Sequence, residues 1–141
     1  MTEKKCPLCF PKGENVVVEC GKFRIIAVDD PALPLYFRII WNDHVKEMSD
    51  LSEADSQILW KAIQSLEKIM RDVAHPDKVN LAEFGTMVPH LHWHLIGRWS
   101  DDPYFPDSIW SSKHRELDKE IFEERLQLRK ECERKIRECF C

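Results

Sequence analysis

Three histidines alternate with three apolar residues in the segment Val88–Ile96, and this alternation constrains the fold more than any other feature of the sequence. The histidines are His90, His92 and His94, and the apolar residues are Leu91, Trp93 and Leu95. Side chains of a β-strand point alternately to its two faces, and neighbours on one face lie about 6.5–7 Å apart. The segment is therefore predicted to be a strand with a row of histidines on one face and core residues on the other.

A row of histidines can serve several purposes. One histidine on a strand is usually a polar residue with a satisfied hydrogen bond, whereas three on one face indicate a site. Alternating imidazoles can hold a catalytic metal, although no acidic ligand stands nearby. Alternatively, one histidine is a nucleophile that its neighbours hold in the right tautomer and orientation. A phosphorus centre suits that nucleophile, because imidazole is unprotonated near neutral pH and the phosphoramidate can then be hydrolysed.

The remaining elements predict an α+β domain with a mainly antiparallel sheet of about five strands and one packed helix, followed by a long C-terminal amphipathic helix. A helix is expected after the capping residue Ser52, with an apolar stripe that continues to Val73 and a stop at Pro76. The other four predicted strands are Val16–Cys20, Phe23–Val28, Tyr36–Trp41 and Val79–Phe84.

The segment Trp110–Cys141 differs in kind from the rest of the chain. It is densely charged with both signs mixed, and apolar residues recur at helical intervals. The expected structure is one long helix with a narrow apolar seam, packed on the domain or on a second subunit, or else a solvated extension. We therefore divide the chain into a domain over residues 1–110 and a helical extension over 111–141. The seam residues are Leu117, Ile121, Leu128, Cys132 and Ile136.

Length and composition describe an ordinary globular chain. Its 141 residues suffice for one domain, with 43% apolar and 33% charged residues. The formal net charge of −4 argues against a nucleic-acid partner. No apolar run approaches the roughly 20 residues that a membrane span needs, and the first residues lack a hydrophobic signal segment. We expect a cytoplasmic protein with no membrane partner.

Six cysteines in a cytoplasmic chain are expected to be thiols or metal ligands rather than disulfides. Only Cys6 and Cys9, in the order Cys-Pro-Leu-Cys, have the spacing of a ligand pair. Taken alone this spacing is a weak signal, because redox pairs and chance pairs look the same. Cys20 closes an apolar run and is predicted to be a buried thiol.

The sequence His-Leu-His-Trp-His-Leu-Ile resembles the signature of the histidine triad (HIT) family, in particular its zinc-containing bacterial members. The resemblance extends upstream through residues 80–89 and downstream through 101–106, and covers roughly residues 5–110. It implies a hydrolase or nucleotidyl transferase that attacks the α-phosphorus of a nucleoside phosphate derivative, such as a dinucleoside polyphosphate or a nucleoside phosphoramidate. It makes His92 the nucleophile, oriented by a backbone carbonyl, and assigns His94 to the phosphate oxygens.

The same resemblance implies further site residues. Asn80 and Thr86 fall where the family cradles the phosphate, and Asp29 falls loosely where it binds the nucleoside sugar. Zinc-bearing members place a ligand histidine at the position of His44 and use the first histidine of the triad as well. The four implied ligands of a structural Zn²⁺ are Cys6, Cys9, His44 and His90, a tetrahedral set with no open position. Members of this type are commonly homodimers.

Three positions depart from the family pattern. Thr86 stands where many members have glutamine, Tyr36 where many have a further active-site histidine, and Gly97 where proline often follows the triad. Tyr36 and Thr86 keep open an alternative function, a nucleotide-binding regulatory module with a structural zinc site and little turnover. A third hypothesis is a metal-dependent enzyme in which all three triad histidines are ligands.

Overall fold

The five predicted strands form one antiparallel sheet in the computed structural model, which describes residues 2–141. The strands lie in the order β1-β2-β3-β5-β4. Their bounds are β1 Asn15–Glu19, β2 Phe23–Ala27, β3 Tyr36–Trp41, β4 Lys78–Ala82 and β5 His92–Arg98. Two helices, α1 Glu53–Ala74 and α2 Lys119–Cys139, and two short 3₁₀ helices, Glu3–Lys5 and Met48–Asp50, complete the fold. The α+β architecture is as the sequence predicts.

Helix α1 covers one face of the sheet. Its N-terminus is capped by the Ser52 side chain, which accepts a hydrogen bond from the Asp55 amide. The helix ends at Ala74, and the next residue, His75, has a left-handed backbone (φ 49°) and directly precedes Pro76. The apolar stripe of α1 packs on the side chains that strands β2, β3 and β5 direct toward it. Members of this core include Ile25, Phe37, Ile39, Leu59, Ile63, Leu66, Met70 and Leu95.

The C-terminal helix is shorter than predicted and packs on its own chain. Residues 111–118 are irregular, and α2 begins after Asp118, whose carboxylate accepts hydrogen bonds from two backbone amides of the first turn. Helix α2 contacts α1 and β1, and its residues Cys132 and Ile136 are fully buried in the main core. Among residues 2–141 no helix combines the length and apolarity that a bilayer crossing requires.

Two further expectations are wrong. The fifth strand begins at His92 rather than Val88, because the His90 amide bonds locally to the Val88 carbonyl (2.8 Å) and bends the chain. Cys20 is not a buried thiol: it is half-buried and forms a disulfide with Cys141, 121 residues away in the sequence. Helix α2 returns the chain end to the β1–β2 turn and so brings the two cysteines together.

Candidate active site and metal centre

The two faces of β5 carry different kinds of side chain. Trp93 and Leu95 face α1, whereas His92 and His94 lie on the opposite face, next to side chains of β3. In the antiparallel pairing of β3 and β5, Arg38 lies directly opposite His94. Both histidines are nearly buried, with 9% of His92 and 6% of His94 exposed.

The tautomer of His92 is fixed by the backbone. Its Nδ1 lies 2.6 Å from the carbonyl oxygen of His90, and because a carbonyl only accepts, Nδ1 must carry the proton. The lone pair then resides on Nε2. Burial lowers the pKa of His92, so that the ring is neutral near pH 7. A buried neutral imidazole with an unprotonated Nε2 is a competent nucleophile.

His94 is protonated at Nε2, the ring nitrogen that is unprotonated in His92. Its Nδ1 lies 2.7 Å from the Tyr36 hydroxyl and accepts a hydrogen bond from Arg38 Nε at 3.3 Å. Arginine can only donate, so Nδ1 is the acceptor and the proton resides on Nε2. Burial, reinforced by His92 and Arg38, lowers the pKa of His94 to about 3. His94 is therefore a neutral donor, which suits contact with a phosphate oxygen.

Tyr36 links Arg38 to His94. The Arg38 Nη2 donates to the Tyr36 hydroxyl at 3.2 Å, and the hydroxyl in turn is placed to donate to His94. Tyr36 is buried, and burial raises the pKa of its hydroxyl, which keeps the proton in place. The residue that departs from the family pattern thus holds the second histidine of the site in one tautomer.

An aromatic pair stands beside His94. The ring centroids of Phe84 and Trp110 are 4.6 Å apart, and that of Trp110 is 5.1 Å from His94. Both side chains are more than half exposed. Exposed aromatic rings next to a polar site provide an apolar wall on which a planar ligand group can stack.

A second cluster lies where the N-terminal segment meets the start of β5. The donor atoms of Cys6, Cys9, His44 and His90 all lie within 4.8 Å of one another. His90 Nδ1 is 3.4 Å from each of the two sulfurs and 3.2 Å from His44 Nδ1, and Cys9 Sγ is 3.2 Å from His44 Nδ1. Ligand atoms around a tetrahedral Zn²⁺ are about 3.3–3.8 Å apart, given the usual Zn–S and Zn–N bond lengths. The four residues form a cluster that can hold a metal ion.

The chemistry of the donors also fits a metal. His90 Nε2 lies 2.5 Å from the Trp41 carbonyl, so Nε2 carries the proton and Nδ1 directs its lone pair into the cluster. A backbone carbonyl that orients the outer nitrogen of a ligand histidine is a common feature of zinc sites. The side chain of Arg24 braces the cluster by donating to the Leu8 carbonyl and to Asn42, at 2.8 Å each.

The structure places three further predicted site residues, Asn80, Thr86 and Asp29, in different surroundings. Asn80 is on β4, and its amide oxygen accepts from Arg98 at 2.8 Å, so its Nδ2 donor is what it can offer a phosphate. Thr86 is exposed in the loop 83–91 that precedes β5. Asp29 is exposed and forms a salt bridge of 2.9 Å with Arg129 of α2. The structure does not bring Asp29 into hydrogen-bond contact with His92 or His94 within residues 2–141.

Sequence reasoning missed Arg38, Phe84 and Trp110. Arg38 interrupts an otherwise apolar and aromatic strand, and that interruption was the available signal. Gly97, noted for its departure from the family, packs against Leu35: a Cβ at this position would overlap the Leu35 side chain, and its amide donates to the Leu35 carbonyl at 2.8 Å. Proline lacks this donor, which explains why it does not follow the triad here.

Known proteins resemble the chain in sequence. AP-4-A phosphorylase of Mycobacterium tuberculosis (strain CDC 1551 / Oshkosh) is 29% identical over 108 residues, which cover 71% of this chain and 55% of that protein. AP-4-A phosphorylase of strain ATCC 25618 / H37Rv matches with the same figures. The chain therefore spans about half the length of these relatives.

Solved structures resemble it in fold. A histidine triad protein from Bradyrhizobium japonicum superposes with a TM-score of 0.68 at 20% identity, over 84% of this chain and 89% of that one. A Zn-bound histidine triad family protein from Mycobacterium smegmatis gives 0.64 at 20% identity, over 97% and 99%. The family model of the HIT domain matches residues 11–101, which is more than half of the sequence. The chain belongs to the HIT domain family.

Proposed function

We propose that the protein is a hydrolase or nucleotidyl transferase that acts at the α-phosphorus of nucleoside phosphate derivatives through a covalent nucleotidyl-His92. The observation that carries this proposal is the complementary protonation of the two histidines. His92 is held with an unprotonated Nε2, whereas His94 is held with a protonated Nε2. One ring is thus suited to attack phosphorus and the other to neutralise its oxygens.

In the first proposed step, His92 Nε2 forms an N–P bond to the α-phosphorus. The bond from phosphorus to the leaving oxygen or nitrogen breaks, and the leaving group takes the bonding electron pair. His94 donates a hydrogen bond from Nε2 to a phosphate oxygen as negative charge builds up on it. The His90 carbonyl stabilises the positive charge that develops on the His92 ring, because it accepts from Nδ1 at 2.6 Å.

In the second proposed step, a water oxygen bonds to phosphorus and the N–P bond breaks. The electron pair of that bond returns to His92 Nε2, a proton of the water passes to solvent, and a nucleoside monophosphate leaves. Inorganic phosphate as the acceptor in place of water would give a nucleoside diphosphate. The relatives named AP-4-A phosphorylase support a dinucleoside tetraphosphate as the first substrate to test.

The cysteine–histidine cluster is proposed to hold a structural Zn²⁺. Cys6, Cys9, His44 and His90 would supply all four ligands and leave no position for substrate. Its contribution to the reaction is indirect, because His90 supplies both a ligand nitrogen and the carbonyl that fixes the tautomer of His92.

One observation favours the alternative, a nucleotide-binding module with little turnover. His92 and His94 are nearly buried, so only a small part of either ring is open to a substrate. Under this alternative the chain binds nucleotides at the same face, and no product or covalent intermediate forms.

A substrate panel with a matched pair of variants tests the proposal. A dinucleoside tetraphosphate, a nucleoside phosphoramidate and a nucleotidyl-sugar are incubated with the protein in ¹⁸O-labelled water, and products are identified by mass. We expect ¹⁸O in the nucleoside monophosphate, and a rate at least about 10³-fold lower in His92→Asn. His75→Asn is the control, since His75 is exposed and asparagine tolerates its left-handed backbone. Binding without turnover of any substrate would favour the alternative.

We also propose that the protein is a homodimer held mainly by the domain over residues 1–110, with the extension over 111–141 contributing. Truncation at Trp110 is a poor test, because Cys132 and Ile136 belong to the core of the same chain. Sedimentation of the full-length protein at micromolar concentration is the direct measurement. A dimer is expected, and a monomer would contradict the proposal.

A further inference from the structure

A groove lies beside the histidine face, between the N-terminal segment and the sheet. It has a volume of about 580 Å³ and is lined by nine residues of the segment 4–14 together with Ile26 and Arg38. Arg38 both lines this groove and donates to His94 Nδ1, so it connects the groove to the reacting histidines. The groove therefore begins next to His94, the histidine that we propose to contact the phosphate oxygens.

The groove is basic although the chain is acidic. Four cationic side chains line it, whereas the formal net charge of the chain is −4. Glu14 is the one acid in the described lining, and both of its oxygens are bound by Arg24 at 2.8 and 2.9 Å. The lining therefore has a surplus of positive charge. The four cations are Lys4, Lys5, Lys12 and Arg38.

Arg38 is the informative member of this set. It is half-buried, and within residues 2–141 it forms no salt bridge with a carboxylate. Its two hydrogen-bond partners are the neutral groups His94 Nδ1 and the Tyr36 hydroxyl. A partly desolvated guanidinium without a counter-ion favours an anion, and its planar fork matches phosphate oxygens.

We propose that this basic groove binds the phosphate groups of the substrate that are not attacked, with Arg38 as the inner contact and the three lysines as the outer ones. The inference rests on the proposed function and adds a substrate class to it: polyphosphates are preferred over phosphoramidates, whose leaving group carries no phosphate. Free inorganic phosphate that arrives as an acceptor offers the same oxyanion chemistry and is the other source of such a group.

Under this proposal the cysteine–histidine cluster also positions the segment that lines the groove. Cys6 lines the groove, and the segment that contains Cys6 and Cys9 also contains all three lysines. Fixing the two cysteines to His44 and His90 holds that segment over the strand that contains Arg38. The metal site would thus shape the phosphate groove as well as the start of β5.

Binding of tripolyphosphate tests the groove independently of turnover. Calorimetry is performed on the full chain, on Arg38→Gln, and on a variant with Lys4, Lys5 and Lys12 all changed to Gln. We expect at least about tenfold weaker binding in each variant and a steep weakening with salt. A control with Lys61, Lys113 and Lys130 changed to Gln has the same charge change at exposed positions outside the groove and should bind as the unmodified protein does. Equal binding by Arg38→Gln and the unmodified protein would overturn the proposal.

Kinetics distinguishes the two sources of phosphate. If the substrate's own chain occupies the groove, Arg38→Gln should lower kcat/KM at least tenfold more for a dinucleoside tetraphosphate than for a nucleoside phosphoramidate. If free phosphate occupies it, the variant should instead lose the phosphate-dependent formation of nucleoside diphosphate. Both results support a phosphate groove. An equal loss of kcat/KM on all substrates, with and without phosphate, would mean that Arg38 only positions His94, and it would overturn the proposal. Failure of the proposed function is separable, because it abolishes turnover but leaves the tripolyphosphate result standing.

Discussion

His90 and His92 are two residues apart in one motif, and each is held by a backbone carbonyl, but at opposite ring nitrogens. His90 donates from Nε2 to Trp41 and directs Nδ1 to the sulfurs of Cys6 and Cys9. His92 donates from Nδ1 to the His90 carbonyl, which leaves Nε2 unprotonated. The ring nitrogen that is bonded to the backbone, rather than residue type or spacing, therefore separates a candidate ligand from a candidate nucleophile.

The largest effect on stability is expected at the cysteine–histidine cluster. Cys9→Ser replaces a thiolate ligand by a hydroxyl group, which binds zinc poorly. The purified variant should therefore contain little zinc and melt more than about 10 °C below the unmodified protein. Cys139→Ser is the control, because Cys139 is an exposed free thiol outside the cluster. Elemental analysis and calorimetry give the two readouts. If both variants contain equal zinc and melt together, the cluster is not a structural metal site.

A smaller effect on stability should follow when the pH is lowered. Burial lowers the pKa of His94 to about 3 in the folded chain, whereas an unfolded histidine titrates near 6.5. The unfolded state therefore binds more protons below pH 6.5, and stability falls as pH decreases from there toward the folded pKa. Between pH 7 and 5.5 the loss from His94 should be about 1 kcal/mol.

Denaturant unfolding of the unmodified protein and of His94→Gln at several pH values isolates this contribution. The variant should lose less stability on acidification, because one buried histidine no longer titrates, while protonation of the cluster ligands affects both proteins alike. Parallel pH curves would mean that His94 is not held neutral by its surroundings.

The smallest effect concerns the Tyr36 hydroxyl. Tyr36→Phe removes the shorter of the two hydrogen bonds to His94 Nδ1 without opening a cavity. The preference of His94 for the tautomer protonated at Nε2 then becomes weaker. We expect kcat to fall about tenfold on all substrates, since one hydrogen bond to the group is lost. Tyr104→Phe is the matched control, because it removes the other tyrosine hydroxyl of the chain from a loop. Equal rates in the two variants would show that Tyr36 does not position His94.

Local patterns accounted for much of the fold. Helix α1 carries its own cap, stripe and stop signal, and the alternation in β5 identifies the core face, because these features depend on neighbours within a few residues. The family resemblance also picked out the four residues that the structure brings together in the cysteine–histidine cluster.

What escaped prediction depends on long-range contacts. The disulfide between Cys20 and Cys141 results from packing of segments far apart in the sequence. The role of Arg38 becomes visible only when β3 is paired with β5, which places its guanidinium beside His94. Asp29 likewise has a partner, Arg129, that lies 100 residues away.

The proposed mechanism requires a covalent bond between His92 Nε2 and phosphorus. A single turnover with an equimolar dinucleoside tetraphosphate, quenched in base within milliseconds to preserve an acid-labile phosphoramidate, measures it directly by intact mass and peptide mapping. We predict a nucleoside monophosphate adduct on the peptide that contains His92, absent from His92→Asn. Product formation with no adduct at any time point, or an adduct on another residue, would contradict the account.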